Sequence, residues 1–156
     1  TFGTGHHETT LLMAQALFNE KVACSDVLDM GTGTGVLAII CSKLKATNID
    51  AIDLDPIAVQ NTKDNLVVNN INRINVKEGN SSLIKENTYD YVLANINKNI
   101  LLSDLFIYFK SLKKGGKLLL SGFFNLDNKD LLDEAVKIGL KFVESKELNK
   151  WSTNFK

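Results

Sequence analysis

The stretch that most constrains this chain is Val27-Leu-Asp-Met-Gly31-Thr-Gly33-Thr-Gly35-Val-Leu-Ala-Ile-Ile40. Val27 to Met30 reads as a short buried strand, the three glycines as a turn, and the run from Val36 as an apolar helix. Glycine reaches backbone angles closed to other residues and lets bare amides approach a ligand. A helix N-terminus directly behind such a turn adds partial positive charge. A second apolar stretch, Ile49-Asp-Ala-Ile-Asp53, ends in an acid. A carboxylate about 20 residues past a glycine turn can accept hydrogen bonds from ribose hydroxyls. Strand, turn, helix, strand and acid together predict a site for a nucleoside-containing cofactor.

Periodicity extends this unit in both directions. Glu8 to about Glu20 has apolar residues at helical spacing. After the helix from Val36 to about Lys45 and the strand ending at Asp53, Asp55 is placed to cap a helix that starts at Pro56 and runs to about Asn69. Ile74 to Glu78 is a short strand closed by Gly79-Asn80, and Tyr89 to Asn95 is apolar enough for a central parallel strand. Asn99 to Leu112 is an amphipathic helix stopped by Lys113-Lys-Gly-Gly116, Lys117 to Phe123 a strand, and Asn128 to Ile138 a helix ended by Gly139. The tail from Lys141 reads as two strands turning near Asn149-Lys150, with Trp151 and Phe155 as packing residues. Alternating helices and strands predict one doubly wound, Rossmann-like α/β domain over 1–156, mostly parallel with an antiparallel hairpin at its end. In such a sheet ligands gather at the carboxyl ends of the strands. Gly31, Asp53, Asn80 and Asn95 all fall at such ends.

Several functions are disfavoured. The 18 basic and 18 acidic residues cancel, and Arg73 is the single arginine, so no basic stripe for direct nucleic-acid binding is expected. No apolar run nears the ~20 residues of a membrane span. Cys24 and Cys41 make no disulfide framework, which fits a reducing cytoplasm. His6 and His7 have no further histidine or cysteine pair at metal spacing, so no metal is expected; they read instead as loop residues at a substrate mouth. The chain opens without Met, on what reads as the middle of a longer protein.

The choice of cofactor turns on the glycines. A dinucleotide turn usually runs G-x-G-x-x-G, whereas here the sixth position is Val36. The pattern G-x-G-x-G with an acid on the next strand, and a sheet closing in a hairpin, suit S-adenosylmethionine, which has a ribose but no pyrophosphate. A nicotinamide dehydrogenase is disfavoured on the same two grounds. Asp29 is open between orienting the loop and reaching the cofactor's amino group, and Asn80 between reading an adenine edge and an ordinary turn.

Five segments carry a family resemblance: Phe2-Gly-Thr-Gly-His-His-Glu-Thr-Thr10, Leu28 to Ile39, Ile52-Asp-Leu-Asp-Pro56, Leu93-Ala-Asn-Ile96 and Lys114 to Gly122. In these the chain closely resembles the class I methyltransferase domain of the ribosomal protein L-eleven methyltransferases, the PrmA family. The opening segment is the specific one, since most class I methyltransferases have nothing like it. The resemblance implies that Thr10, Gly31, Asp53 and Asn95 contact S-adenosylmethionine, with Gly33 and Gly35 lining the same turn. It implies methylation of amino groups, lysine or N-terminal, on a large-subunit ribosomal protein. Asn95 is then the residue closest to the chemistry, holding the target amine or the cofactor's methionine end. Members of the family also carry an N-terminal recognition domain that this chain lacks. The alternatives are a methyltransferase for another protein or small molecule, or a cofactor-binding fragment inactive without that domain.

Overall fold

The computed structural model describes residues 4–121, 128–145 and 148–153, and the side chains of 10–97, 99–120 and 129–141. The first three residues of the opening motif, the His6 and His7 side chains, Gly122 and Phe123, the Trp151 side chain and Phe155 lie outside that description. Five helices, α1 (Thr4–Phe18), α2 (Val36–Lys43), α3 (Pro56–Val68), α4 (Lys98–Ser111) and α5 (Asn128–Ile138), flank seven strands. The strands are β1 (Asp26–Met30), β2 (Asn48–Asp53), β3 (Ile74–Glu78), β4 (Tyr89–Ala94), β5 (Leu112–Ser121), β6 (Leu140–Ser145) and β7 (Leu148–Thr153). They form one sheet in the order β3-β2-β1-β4-β5-β7-β6. β1 to β5 pair in parallel, and β7 runs antiparallel to both neighbours. The Rossmann-like fold with its terminal antiparallel pair is the one expected.

Alternation along the strands divides the interior in two. Val27, Ile49, Ala51, Leu93 and Leu119 join Met13 and Leu17 of α1, Leu37 and Cys41 of α2 and Leu66 of α3 in one core. Leu28, Met30, Ile52, Val92 and Leu118 join Leu101, Leu105 and Tyr108 of α4 and Leu131 and Ala135 of α5 in the other. Side chains on a strand point to opposite faces in turn, so each central strand feeds both layers. Both faces of the sheet are therefore covered, as a parallel sheet requires.

Three local expectations are corrected. Thr10 does not head its helix, because α1 starts at Thr4 and places Thr10 well inside it. The segment Lys113-Lys-Gly-Gly116 does not stop α4 as a loop. It is a bulge inside β5: Tyr89 pairs with Leu112 and Tyr91 already with Lys117. A Cβ at Gly116 would lie 2.9 Å from the Lys113 carbonyl oxygen and 3.1 Å from that of Tyr89, so the bulge needs glycine. Asn149 and Lys150 are not the hairpin turn either, since they pair with Leu120 and Leu119 inside β7. Their turn-forming character yields to the ladder with β5. Among the described residues no helix is long and apolar enough to cross a membrane, and no cluster of His, Cys, Asp or Glu is placed to hold a metal ion.

Candidate functional site

The glycine turn is held by the tip of β2. Gly31 and Thr32 donate their N–H groups to the Ile52 carbonyl at 2.8 and 3.1 Å, and Gly35 donates to the Thr32 carbonyl at 2.9 Å. Gly33 N donates to Asp53 Oδ2 at 2.9 Å. The expectation of bare amides facing a ligand is thus corrected for these four groups, which are spent within the chain. A turn so occupied is a poor cradle for a pyrophosphate.

Side chains from α3 pin the turn from the other side. Thr62 Oγ1 donates to the Gly33 carbonyl at 2.9 Å, and Asn65 Nδ2 to the Thr34 carbonyl at 2.9 Å. Sequence reasoning passed over both; the available signal was two polar residues three apart on the inward face of α3. Gly31 (φ 77°) and Gly33 (φ 61°) both need the left-handed region. A Cβ on Gly31 would stand 2.6 Å from Ile96 Cγ2 and 3.3 Å from the Asn95 carbonyl oxygen. Gly31→Ala is therefore expected to cost about 2 kcal/mol in a denaturant melt, from left-handed strain together with the displacement of Ile96. Removing the obstructing side chain as well, in Gly31→Ala/Ile96→Ala, should relieve the contact and leave the backbone strain.

Asp53 closes β2 half-buried. Its Oδ2 accepts from Gly33 N and its Oδ1 from Asp55 N at 3.0 Å. Each carboxylate oxygen keeps a further lone pair, so the group is fixed in place and still able to accept. Asp55 takes the capping role expected of it, accepting from Ile57 N at 2.9 Å with Pro56 first in the helix.

A cleft of about 310 Å³ opens over the strand tips, within the range of small-molecule sites. Thr10, Gly31, Gly33, Asp53, Asn80 and Asn95 all line it. Gly35 stands behind them: it caps α2 with φ 83°, and its Cα faces the Thr62 side chain. Asn80 caps the short 3-10 turn at Ser81–Leu83, its Oδ1 accepting from Ser82 N at 2.9 Å. Asn97 Oδ1 likewise accepts from Ile100 N at the start of α4. Two further lining residues, Asp104 and Tyr108, escaped the sequence analysis, where helical spacing assigns them to α4 without distinction. Burial, and after it the Asp104 charge, hold the Tyr108 phenol above its usual pKa range.

Below the turn lies Asp29, 1% exposed, whose Oδ2 accepts from Thr32 Oγ1 at 2.8 Å and whose Oδ1 has no hydrogen-bond partner. Burial raises its pKa to about 6, with the nearby Asp53 charge adding to the rise and the Thr32 hydroxyl opposing it. Asp29 does not line the cleft, so its contact is with the loop.

This sheet order, with one antiparallel strand and a glycine turn facing a strand-end acid, defines the class I methyltransferase architecture. Solved structures agree on the fold. The ribosomal protein L11 methylase from Lactobacillus delbrueckii subsp. bulgaricus superimposes with a TM-score of 0.84 at 24% identity, covering 97% of this chain and 79% of that one. Magnesium protoporphyrin IX methyltransferase from Synechocystis PCC 6803, solved with bound SAM, gives 0.78 at 13% identity, covering 96% and 80%. The family model described as Ribosomal protein L11 methyltransferase (PrmA) matches residues 1–155, and the chain belongs to that family. It is 45% identical over 152 residues to the ribosomal protein L11 methyltransferase of Porphyromonas gingivalis and 36% identical over 151 residues to that of Clostridium perfringens. The alignments cover 97% of this chain but only 52% and 48% of those relatives, so the chain spans about half their length.

Proposed function

We propose that the chain is the cofactor-binding and catalytic domain of an S-adenosylmethionine-dependent protein N-methyltransferase. Its target is a set of amino groups, lysine or N-terminal, on large-subunit ribosomal protein L11. The observation that carries the reading is the Asp53 carboxylate, immobilised by Gly33 N and Asp55 N yet still able to accept from a ribose. The preoccupied amides of the glycine turn point the same way, because they suit a nucleoside without a pyrophosphate.

In this reading Thr10 donates to the amino-acid end of the cofactor and Asp53 accepts from its ribose hydroxyls. Gly31 and Gly33 give close approach between them, and Gly35 acts by shaping the turn. Asn80, its oxygen spent on Ser82, offers its amide N–H groups at the base end. Asn95, half-buried at the tip of β4, holds the incoming amine with its side-chain oxygen. S-adenosylmethionine supplies an electrophilic methyl group on a sulfonium. The chain's own task is to hold the amine in line and keep water out. A lysine must arrive without its proton, against an ordinary pKa near 10.4, and desolvation at the cleft mouth lowers that value. Residues 1–156 then form one domain of a longer cytoplasmic enzyme, and the remainder of the protein presents the substrate.

Calorimetry with S-adenosylhomocysteine and with NAD tests the cofactor; binding of NAD alone would overturn the reading. Transfer of labelled methyl groups to purified L11 by the full-length protein tests the reaction. Labelling of other substrates but not L11 would retain the enzyme class and remove the substrate.

A further inference from the structure

The cleft passes from one face of the sheet to the other. Thr10 reaches it from α1, whose Met13 and Leu17 belong to one core, and Asp104 and Tyr108 from α4, whose Leu101 and Leu105 belong to the other. Asp53 and Asn95, at the strand tips, lie between these layers. A ligand held by its amino-acid end at Thr10 and by its ribose at Asp53 therefore directs its base toward α4.

Hydrogen-bonding capacity at that end is already partly spent. Asn80 Oδ1 accepts from Ser82 N and Asn97 Oδ1 from Ile100 N, which leaves the half-buried Asp104 carboxylate as the available side-chain acceptor. One helical turn on, Tyr108 is wholly buried and its Oη has no hydrogen-bond partner. Of the residues lining the cleft, only Tyr108 carries such an orphaned buried atom among the described residues. Buried polar groups in native proteins are nearly always paired, so an exception on a cleft wall calls for a partner from outside the chain. Leu54, 58% exposed, and Ile100, 38% exposed, supply apolar surface beside them.

We propose that Asp104 and Tyr108 select adenine: Asp104 accepts from its exocyclic amino group, and Tyr108 Oη donates to an adjacent ring nitrogen. This rests on S-adenosylmethionine being the cofactor, as inferred above. Adenine carries a donor beside an acceptor on this edge, complementary to a carboxylate, which only accepts, beside a phenol, which donates. Hypoxanthine reverses the pattern, with a carbonyl oxygen in place of the amino group and a proton on the ring nitrogen. A site built on hydrogen bonds rejects such an analogue because its own polar groups are left unpaired.

The test is calorimetric titration of the protein, Asp104→Asn and Tyr108→Phe with S-adenosylhomocysteine and S-inosylhomocysteine. The parent should prefer the adenosyl compound by about tenfold or more. Asp104→Asn, whose amide can turn either an oxygen or an N–H toward the base, should bring the two within about threefold. Tyr108→Phe should weaken S-adenosylhomocysteine severalfold while raising the melting temperature of the ligand-free protein, since it removes an unpaired buried hydroxyl. A tyrosine serving structure alone would not combine those two signs. Equal binding of both compounds by the parent, or an Asp104→Asn variant that keeps the parent's preference, would overturn the inference. A parent that binds neither compound would overturn the cofactor reading itself, and the parent comparison stands even if a variant fails to fold.

Discussion

Asp53→Ala is expected to remove measurable binding of S-adenosylhomocysteine while leaving a folded protein. Hydrogen bonds to an ionised group contribute about 1.5–3 kcal/mol each. Two of them, one to each ribose hydroxyl, correspond to a loss of roughly 10²- to 10⁴-fold in affinity. The substitution also deprives Gly33 N and Asp55 N of their acceptor. Both amides lie where water can reach, so the accompanying loss of stability should be near the low end, about 1 kcal/mol. Asp53→Asn keeps one oxygen and should fall between parent and alanine variant. A thermal melt run beside the titration separates lost contacts from lost folding. A cofactor analogue without the ribose hydroxyls closes a double-mutant cycle, in which it should weaken binding to the parent much more than to Asp53→Ala. Affinity of Asp53→Ala within threefold of the parent would show that this carboxylate does not grip the sugar.

The residues that converge on the cleft were legible because each ends a strand. Once β1, β2 and β4 are recognised, Gly31, Asp53 and Asn95 must meet at the carboxyl edge of a parallel sheet. Asp55 was equally plain, since an acid before Pro56 has one favourable local use. What escaped the sequence depends on tertiary pairing. Lys113-Lys-Gly-Gly116 has the composition of a turn, and only the register of Tyr89 and Tyr91 against Leu112 and Lys117 shows it to be a bulge. Asn149 and Lys150 carry turn propensity that pairing with β5 overrides. The glycines announced a close approach but not which amides are spent, because that depends on Ile52 and Asp53 arriving from another strand. Tyr108 reads as one more inward residue of α4. That its hydroxyl is the part left unsatisfied is a property of its neighbours in space.

The buried acid beneath the turn gives a second large effect, with a sign opposite to that of a paired surface carboxylate. Asp29 is raised from the ordinary 3.8 to about 6 in the folded chain, so between those values the native state binds the proton that the unfolded state has released. Its stability contribution is therefore complete below about pH 4 and is lost as pH climbs through 6. Asp29→Asn keeps an oxygen for the Thr32 hydroxyl and removes the charge. Relative to the parent, this variant should change little at pH 4 and gain progressively above it, by on the order of 3 kcal/mol at pH 7.5. Urea melts of both proteins at half-unit intervals from pH 4 to 7.5 measure the difference directly, and the effects of other titrating groups largely cancel in it. A difference that does not change with pH would mean that Asp29 titrates alike in the folded and unfolded chain. A gain at neutral pH accompanied by weaker binding of S-adenosylhomocysteine would identify the charge as a cost of shaping the loop, because Asp29 reaches the cleft only through Thr32 and the glycines on either side of it.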